Sequence, residues 1–383
     1  MSEALRQRIR SPGPKRILSL DGGGIRGLIT LGFLEKIEDH LKARLSSLHL
    51  YDRPPTENYF RLRDYYDLIG GTSTGAIIAS ALAVGLSVRQ IIELYLDLGT
   101  KIFSHPNPLS LVASGAFARK FSAEPLRAIL KNILQERTLG DASITTGLCI
   151  VAKRYDTNSV WAMVNAPESS FYDFGDEPNR NLPLAQIVRA STAAPSYFDS
   201  ERLPFGNTTY GFIDGGMSMH NNPALKLLLV ATVPDFGFRW PVGVDNLSIT
   251  SIGTGEWSRK VAEHKWIDGT LPLSQVGDLL SMFMEDASEL NETILQAVGV
   301  GTNRRKIDSV IGLMDGTLWG QSLLRYERFQ AFLEDAFFME NDLAGYVARI
   351  PLYRQMDNVT VMQDLLQIGR ILATRQIGEV PLP

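Results

Sequence analysis

Tyr66-Asp67-Leu68-Ile69-Gly70-Gly71-Thr72-Ser73-Thr74-Gly75-Ala76-Ile77-Ile78 is a short apolar run, a glycine-flanked turn and the start of a helical pattern. A strand that ends in Gly-x-Ser-x-Gly and passes directly into a helix holds its serine exposed on a sharp turn. Gly71 and Gly75 permit the tight turn and keep Cβ atoms clear of Ser73. Amides at the start of the following helix favour negative charge beside the serine. The same residues also fit a plain strand-to-helix turn capped by Ser73, so the reading depends on what else the chain carries.

Upstream, Ile17-Leu18-Ser19-Leu20 runs into Asp21-Gly22-Gly23-Gly24-Ile25-Arg26-Gly27. This loop satisfies G-x-G-x-x-G, which after a first strand can bind a dinucleotide. That reading expects an acidic residue about 20 positions on, at the end of a second strand. Here a helical pattern continues through Glu38, Asp39 and His40 to Leu45, and Asp52 lies in a loop before Pro54-Pro55. Consecutive glycine amides at a helix N-terminus suit a developing oxyanion better. Gly23 and Gly24 are the candidate donors, with Gly22 and Arg26 in support. A nucleotide-binding regulator built on the same loop is the competing reading.

Downstream, Tyr210-Gly211-Phe212-Ile213 leads to Asp214-Gly215-Gly216, a carboxylate at a strand end followed by glycines. By itself this tripeptide reads as a turn. Beside a serine nucleophile it offers a base, which such a serine needs. The chain has five histidines, His40, His49, His105, His220 and His264, and His220 alone lies near a motif. It follows Asp214 by six residues, a poor spacing where acid and histidine normally come from separate loops. The alternative is that Asp214 acts on Ser73 directly.

Apolar runs at 16–20, 65–70, 145–153, 159–165, 210–213 and 246–252 read as strands. Helical patterns lie between them, at about 26–45, 74–84, 88–99, 124–135 and 222–232. Such alternation predicts an α/β fold, a mostly parallel sheet with helices on both faces. The three motifs then lie beyond the carboxyl ends of strands, where ligand sites form. From about residue 260 the pattern turns mainly helical. Residues 104–122, with Pro106, Pro108 and Gly115 among Leu109, Leu111, Val112 and Phe117, read as a mobile cover over the site.

The 383 residues are 44% hydrophobic and 21% charged, with a formal net charge of −4, which leaves no electrostatic footprint for nucleic acid. The single cysteine, Cys149, excludes an internal disulfide and reads as core. The basic start of the chain, with Arg6, Arg8 and Arg10, lacks the apolar stretch of a secretory signal and reads as a solvated tail. No apolar run is long enough to cross a bilayer. A cytoplasmic location follows as the expectation. No His, Asp or Glu cluster has metal-ligand spacing, so neither metal nor cofactor is expected.

The three motifs, in this order, resemble those of the patatin-like phospholipases. Ala190-Ser191-Thr192-Ala193-Ala194-Pro195, Asn221-Asn222-Pro223 and Gly253-Thr254-Gly255 are similar to that family as well. The resemblance covers about residues 15–256, roughly two thirds of the chain. It implies a three-layer α/β/α patatin-like fold and a Ser73–Asp214 dyad without a catalytic histidine. It places the oxyanion hole at Gly22, Gly23, Gly24 and Arg26. It implies acyl-ester hydrolysis of membrane phospholipids through a covalent acyl-enzyme, with peripheral membrane contact. Residues 1–14 would be a flexible tail, 15–256 the catalytic domain, and 257–383 a mainly helical region packed on or extending it. Some bacterial members that this chain resembles are switched on by cyclic nucleotides in antiphage defence, which adds a cyclic-nucleotide activator to the expected partners.

Overall fold

The computed structural model describes residues 3–47, 60–103, 120–175, 178–195, 197–258, 273–314 and 320–377. Strands β1 (Lys15–Leu20), β2 (Leu68–Thr72) and β7 (Leu247–Ile252) are buried along almost their whole length. Such near-continuous burial belongs to parallel strands covered on both faces. With β3 (Gly147–Arg154), β4 (Val160–Val164), β5 (Glu201–Phe205), β6 (Thr208–Asp214), β8 (Gly299–Val300) and β9 (Leu324–Phe329) they form one nine-stranded sheet. Its order is β5-β6-β3-β2-β1-β7-β9-β8, with β4 also paired to β3. The run from β3 to β8 is parallel, and β4, β5 and β6 join antiparallel.

Alternate side chains leave the sheet to opposite faces. Leu18, Leu20 and Ile69 enter a core shared with α2 (Gly27–Ser47), α3 (Leu62–Tyr65), α4 (Thr74–Ala83) and α5 (Val88–Phe103). Ile17, Leu68, Cys149 and Val151 enter the core on the other face, packed with helix Ala224–Thr232 and with Leu295 and Val298 of helix Leu273–Val298. The α/β layering matches the sequence expectation. Leu28, Leu31, Leu34, Ile37 and Leu41 of α2 are all fully buried, as their spacing requires. Helix Met362–Gln376 lies along α2, where Arg370 clamps Glu35 through two hydrogen bonds of 2.6 and 3.0 Å.

Two regions differ from the sequence expectation. The N-terminal residues form a helix, α1 (Glu3–Arg10), with Leu5 and Ile9 buried. Arg8 pairs with Asp67 at 3.1 Å, and the Trp240 indole donates to Ile9 O at 3.0 Å. Eight residues carry too little periodicity to stand out, and their partners lie far along the chain. The C-terminal region, read as mainly helical, also supplies β8 and β9, which continue the parallel sheet beyond β7. Of residues 104–122, read above as a mobile cover, 104–119 lie outside the described residues.

Candidate active site

Ser73 sits between β2 and α4 with φ 54° and ψ −120°, a conformation rarely adopted by residues other than glycine. Every residue of α4 is buried, so the helix is fixed in place by packing. The turn packs so closely on the end of β1 that a Cβ on Gly75 would lie 2.1 Å from Leu20 O. Helix Leu184–Ser191 braces it from the side. Ser191 Oγ accepts the Ser73 amide at 2.9 Å and donates to Val151 O at 2.6 Å. In the sequence this stretch carries only a family likeness and gives Ser191 no role.

Asp214 ends β6. It is 4% exposed, and its Oδ2 accepts the Ser73 hydroxyl at 2.6 Å. Its Oδ1 accepts the Gly216 amide at 2.7 Å, which fixes the carboxylate plane. Burial pushes the Asp214 carboxyl up to about 6, against the opposing pull of the Ser73 hydroxyl, the Gly216 amide and the Arg189 charge. The group is therefore ionised at neutral pH yet close to its own titration, as a general base should be. His220 makes no side-chain hydrogen bond to Ser73 or Asp214. Its ring is buried, Nδ1 has no partner, and burial together with Lys226 lowers its pKa to about 4. Its backbone carbonyl accepts the Thr72 hydroxyl at 2.6 Å, so its contribution to the turn is structural.

The glycine loop lies directly beside the serine: a Cβ on Gly22 would come within 3.2 Å of Ser73 Cβ. Gly22 donates its amide to Asn221 O at 3.1 Å, and its carbonyl accepts the Thr254 hydroxyl at 2.7 Å. Gly22 is thus tied into the protein. The amides of Gly23 and Gly24 have no acceptor among the described residues, and both glycines line the cavity at Ser73. Gly24 has φ 61°, and a Cβ there would meet Met356 O at 2.3 Å. Arg26 is not among the residues lining that cavity. It is buried and donates to Gly23 O at 3.4 Å and Gly255 O at 3.1 Å, which orients the loop.

The C-terminal region completes this loop, a role no motif announced. Arg328 of β9 holds the buried Asp21 through two hydrogen bonds, 3.0 and 2.6 Å, and also reaches Ser251 at 2.9 Å. Met356 O accepts the Ile25 amide at 2.9 Å. A buried ion pair aligned in this way rigidifies the loop, whatever its net contribution to stability.

Ser73, Asp214, Gly23 and Gly24 open into a cavity of about 330 Å³. Ile77, Ile102, Phe103, Leu126 and Phe198 form its apolar wall. The constellation has a serine hydroxyl on a buried carboxylate, unengaged amides beside it and an apolar space in front. Such parts suit the transfer of an apolar acyl group.

Comparison with known proteins agrees. Residues 18–228 match the family model described as Patatin-like phospholipase. Patatin-like protein 1 of Arabidopsis thaliana is 30% identical over 64% of this chain and 59% of its own length. The cUMP-AMP-activated phospholipase of Escherichia coli is 32% identical over 57% of this chain and 59% of its own. The cGAMP-activated phospholipase of Escherichia coli strain TW11681 is 29% identical over 62% of each. The chain thus spans about three fifths of the length of these relatives.

Proposed function

The chain belongs to the patatin-like phospholipase family, and we propose that it is a lipid acyl hydrolase of phospholipase A type working through a Ser73–Asp214 dyad. The observation that carries this reading is the 2.6 Å hydrogen bond between Ser73 Oγ and Asp214 Oδ2 at the mouth of the apolar cavity. Asp214 takes the hydroxyl proton as Ser73 Oγ attacks the ester carbonyl. The Gly23 and Gly24 amides donate to the developing oxyanion, with Gly22 and Arg26 holding the loop. Collapse of the tetrahedral intermediate expels the alcohol, which receives the proton from Asp214. Water then attacks the acyl-enzyme with Asp214 again as base, releasing the fatty acid and restoring Ser73.

The apolar wall supports a fatty acyl chain as the acyl group, and membrane phospholipids, met at the bilayer surface, as its source. No helix among the described residues is long and apolar enough to cross a membrane. Product analysis by mass spectrometry on mixed phospholipid vesicles tests the reading. Release of free fatty acid and lysophospholipid is expected from the wild type and not from Ser73→Ala.

A second layer of the same reading is activation by a cyclic nucleotide. Its support is that two relatives are phospholipases activated by cUMP-AMP and by cGAMP. The vesicle assay repeated with a panel of cyclic nucleotides tests it: a rise in rate with one of them supports gating, and a flat response across the panel removes it.

A further inference from the structure

β4 is an edge strand: among the described residues it pairs with β3 alone. In an antiparallel pair, alternate residues turn their amide and carbonyl to the neighbour and the others turn them away. The Arg154 amide donates to Ser159 O at 2.8 Å and the Asn165 amide to Leu148 O at 3.2 Å, one at each end of the pair. Between these ends, Trp161 and Met163 are the residues turned to β3, opposite Ala152 and Ile150. Val160 and Ala162 therefore turn their amides and carbonyls outward. None of these four groups has a hydrogen bond to a described residue. A strand edge left open in this way is a template for another strand.

Residues 159–163 all line a cavity of about 650 Å³, so the space runs along the strand backbone rather than over one face. It shares no residue with the catalytic cavity. On one face of β4, Trp161 meets Phe205 and Tyr210 with ring centres 5.5 and 5.9 Å apart, and all three line the cavity. On the other face, Val160, Ala162 and Phe236 pack against the opposite core. There Lys226, of helix Ala224–Thr232, lies over the Phe236 ring at 5.8 Å. Lys226 is the one charged residue among those lining the cavity, and it has no ion pair or hydrogen bond to a described residue. Phe171 and Phe174 line the same space as an edge-to-face pair 6.0 Å apart, although 62% and 68% exposed. Exposed rings gathered beside an open groove mark a surface used for contact.

We propose that the free edge of β4 docks an extended segment of a partner protein, which adds a strand to the sheet and alternates apolar with acidic residues. Backbone pairing with Val160 and Ala162 holds the segment. Successive side chains of a strand leave to opposite faces, so the two walls read alternate positions. Apolar side chains meet Trp161, Phe205 and Tyr210, and an Asp or Glu between them meets Lys226. A second copy of this chain suits the edge less well, since no carboxylate lines the cavity of either copy to meet Lys226. A fatty acyl chain would leave the four backbone groups unpaired.

The test selects short random peptides displayed on phage against the full chain, with site-resolved hydrogen exchange as the readout. In the free chain the Val160 and Ala162 amides should exchange fast, and those of Trp161 and Met163 slowly. Enriched peptides should alternate apolar and acidic residues. Their synthetic copies should slow exchange at Val160 and Ala162 roughly tenfold or more and leave Trp161 and Met163 unchanged. Ala162→Pro removes an outward N–H without touching the ladder to β3, and should weaken binding roughly tenfold or more. Lys226→Glu should weaken acidic peptides by a similar factor and turn the selection towards basic ones, which keeps the test sound if the proline variant misfolds. Selection without enrichment, or peptides whose binding neither substitution weakens, overturns the proposal. So does slow exchange at Val160 and Ala162 in the free chain. With a dimer in sedimentation, that result gives the edge to a second copy, and with a monomer, to the chain itself.

Discussion

Thr72 and Asp214 occupy consecutive rungs on one edge of β3: Thr72 pairs with Val151 and Asp214 with Ala152. β4 holds the opposite edge, so β2 and β6 meet end to end, one parallel and one antiparallel to β3. Their last residues converge. The contact between Ser73 and Asp214 is therefore set by backbone register rather than by loop conformation. A site built in this way loses little on binding because it is already organised.

Ser73→Ala and Asp214→Asn should each lower kcat on an ester by about 10³-fold or more while the fold is kept, because the two act as one unit. The double variant should be scarcely worse than either. His220→Ala should cost less than about tenfold, since its ring makes no hydrogen bond to either residue. Steady-state kinetics with fluorophosphonate labelling decides the matter. A histidine variant as inactive as the serine variant would replace the dyad with a triad.

The rate should rise with pH through an apparent pKa of about 6 and level off above it, because Asp214 must be ionised to act as base. Stability should respond in the opposite sense. The folded pKa of Asp214, about 6, lies above its ordinary 3.8, so the folded state holds the proton more tightly. Its contribution is present below about pH 4 and is lost as pH rises towards 6. Asp214→Asn should therefore stabilise the fold above pH 6, by at most about 3 kcal/mol, and give no such gain at pH 4. Urea unfolding at the two pH values measures this.

Ser191→Ala removes the acceptor of the Ser73 amide and leaves a buried donor unmatched. The expected result is a fall in kcat of about 10- to 100-fold with KM nearly constant, from a misplaced nucleophile. The rate of fluorophosphonate labelling should fall in parallel. A change confined to melting temperature would make Ser191 a packing residue only.

Arg328→Met strands Asp21 as a buried carboxylate without its partner. A cost of about 3–5 kcal/mol is expected from chemical denaturation. Combining it with Asp21→Asn should recover much of that loss, and a non-additive cycle of this kind is the sign of direct coupling.

The site residues stood out in the sequence because each motif is glycine-flanked, and a tight turn leaves a compositional trace that packing does not. Ser73, Asp214 and the loop from Asp21 to Gly27 fall into this class. The reason they converge was not legible. Strand ends on one side of a parallel sheet is the natural argument, yet β6 runs antiparallel and reaches Ser73 only by following β2 along β3. Pairing register is a long-range property that no local window carries. The same holds for β8 and β9: Gly299-Val300 is too short to read, and Leu324-Arg325-Tyr326-Glu327-Arg328-Phe329 places charged side chains in a buried strand. Arg328 looks like a surface residue until Asp21 is seen beside it. Ser191 and Met356 act through hydrogen bonds to backbone, which many side chains or any carbonyl can supply, so neither leaves a pattern.

The clamp from Arg328 to Asp21, with the contact from Met356 to Ile25, bears on how such a chain can be inherited. The stretch that matches the family ends at residue 228, yet its first loop is held by side chains and carbonyls about a hundred residues further on. A recombination breakpoint between them would separate a carboxylate from the cation that pairs with it. Exchange with another family member should therefore succeed when both segments travel together or when the incoming segment brings its own arginine. The C-terminal region is thus a poor candidate for free shuffling as a module, and its sequence should drift in step with the glycine loop rather than with its own surface.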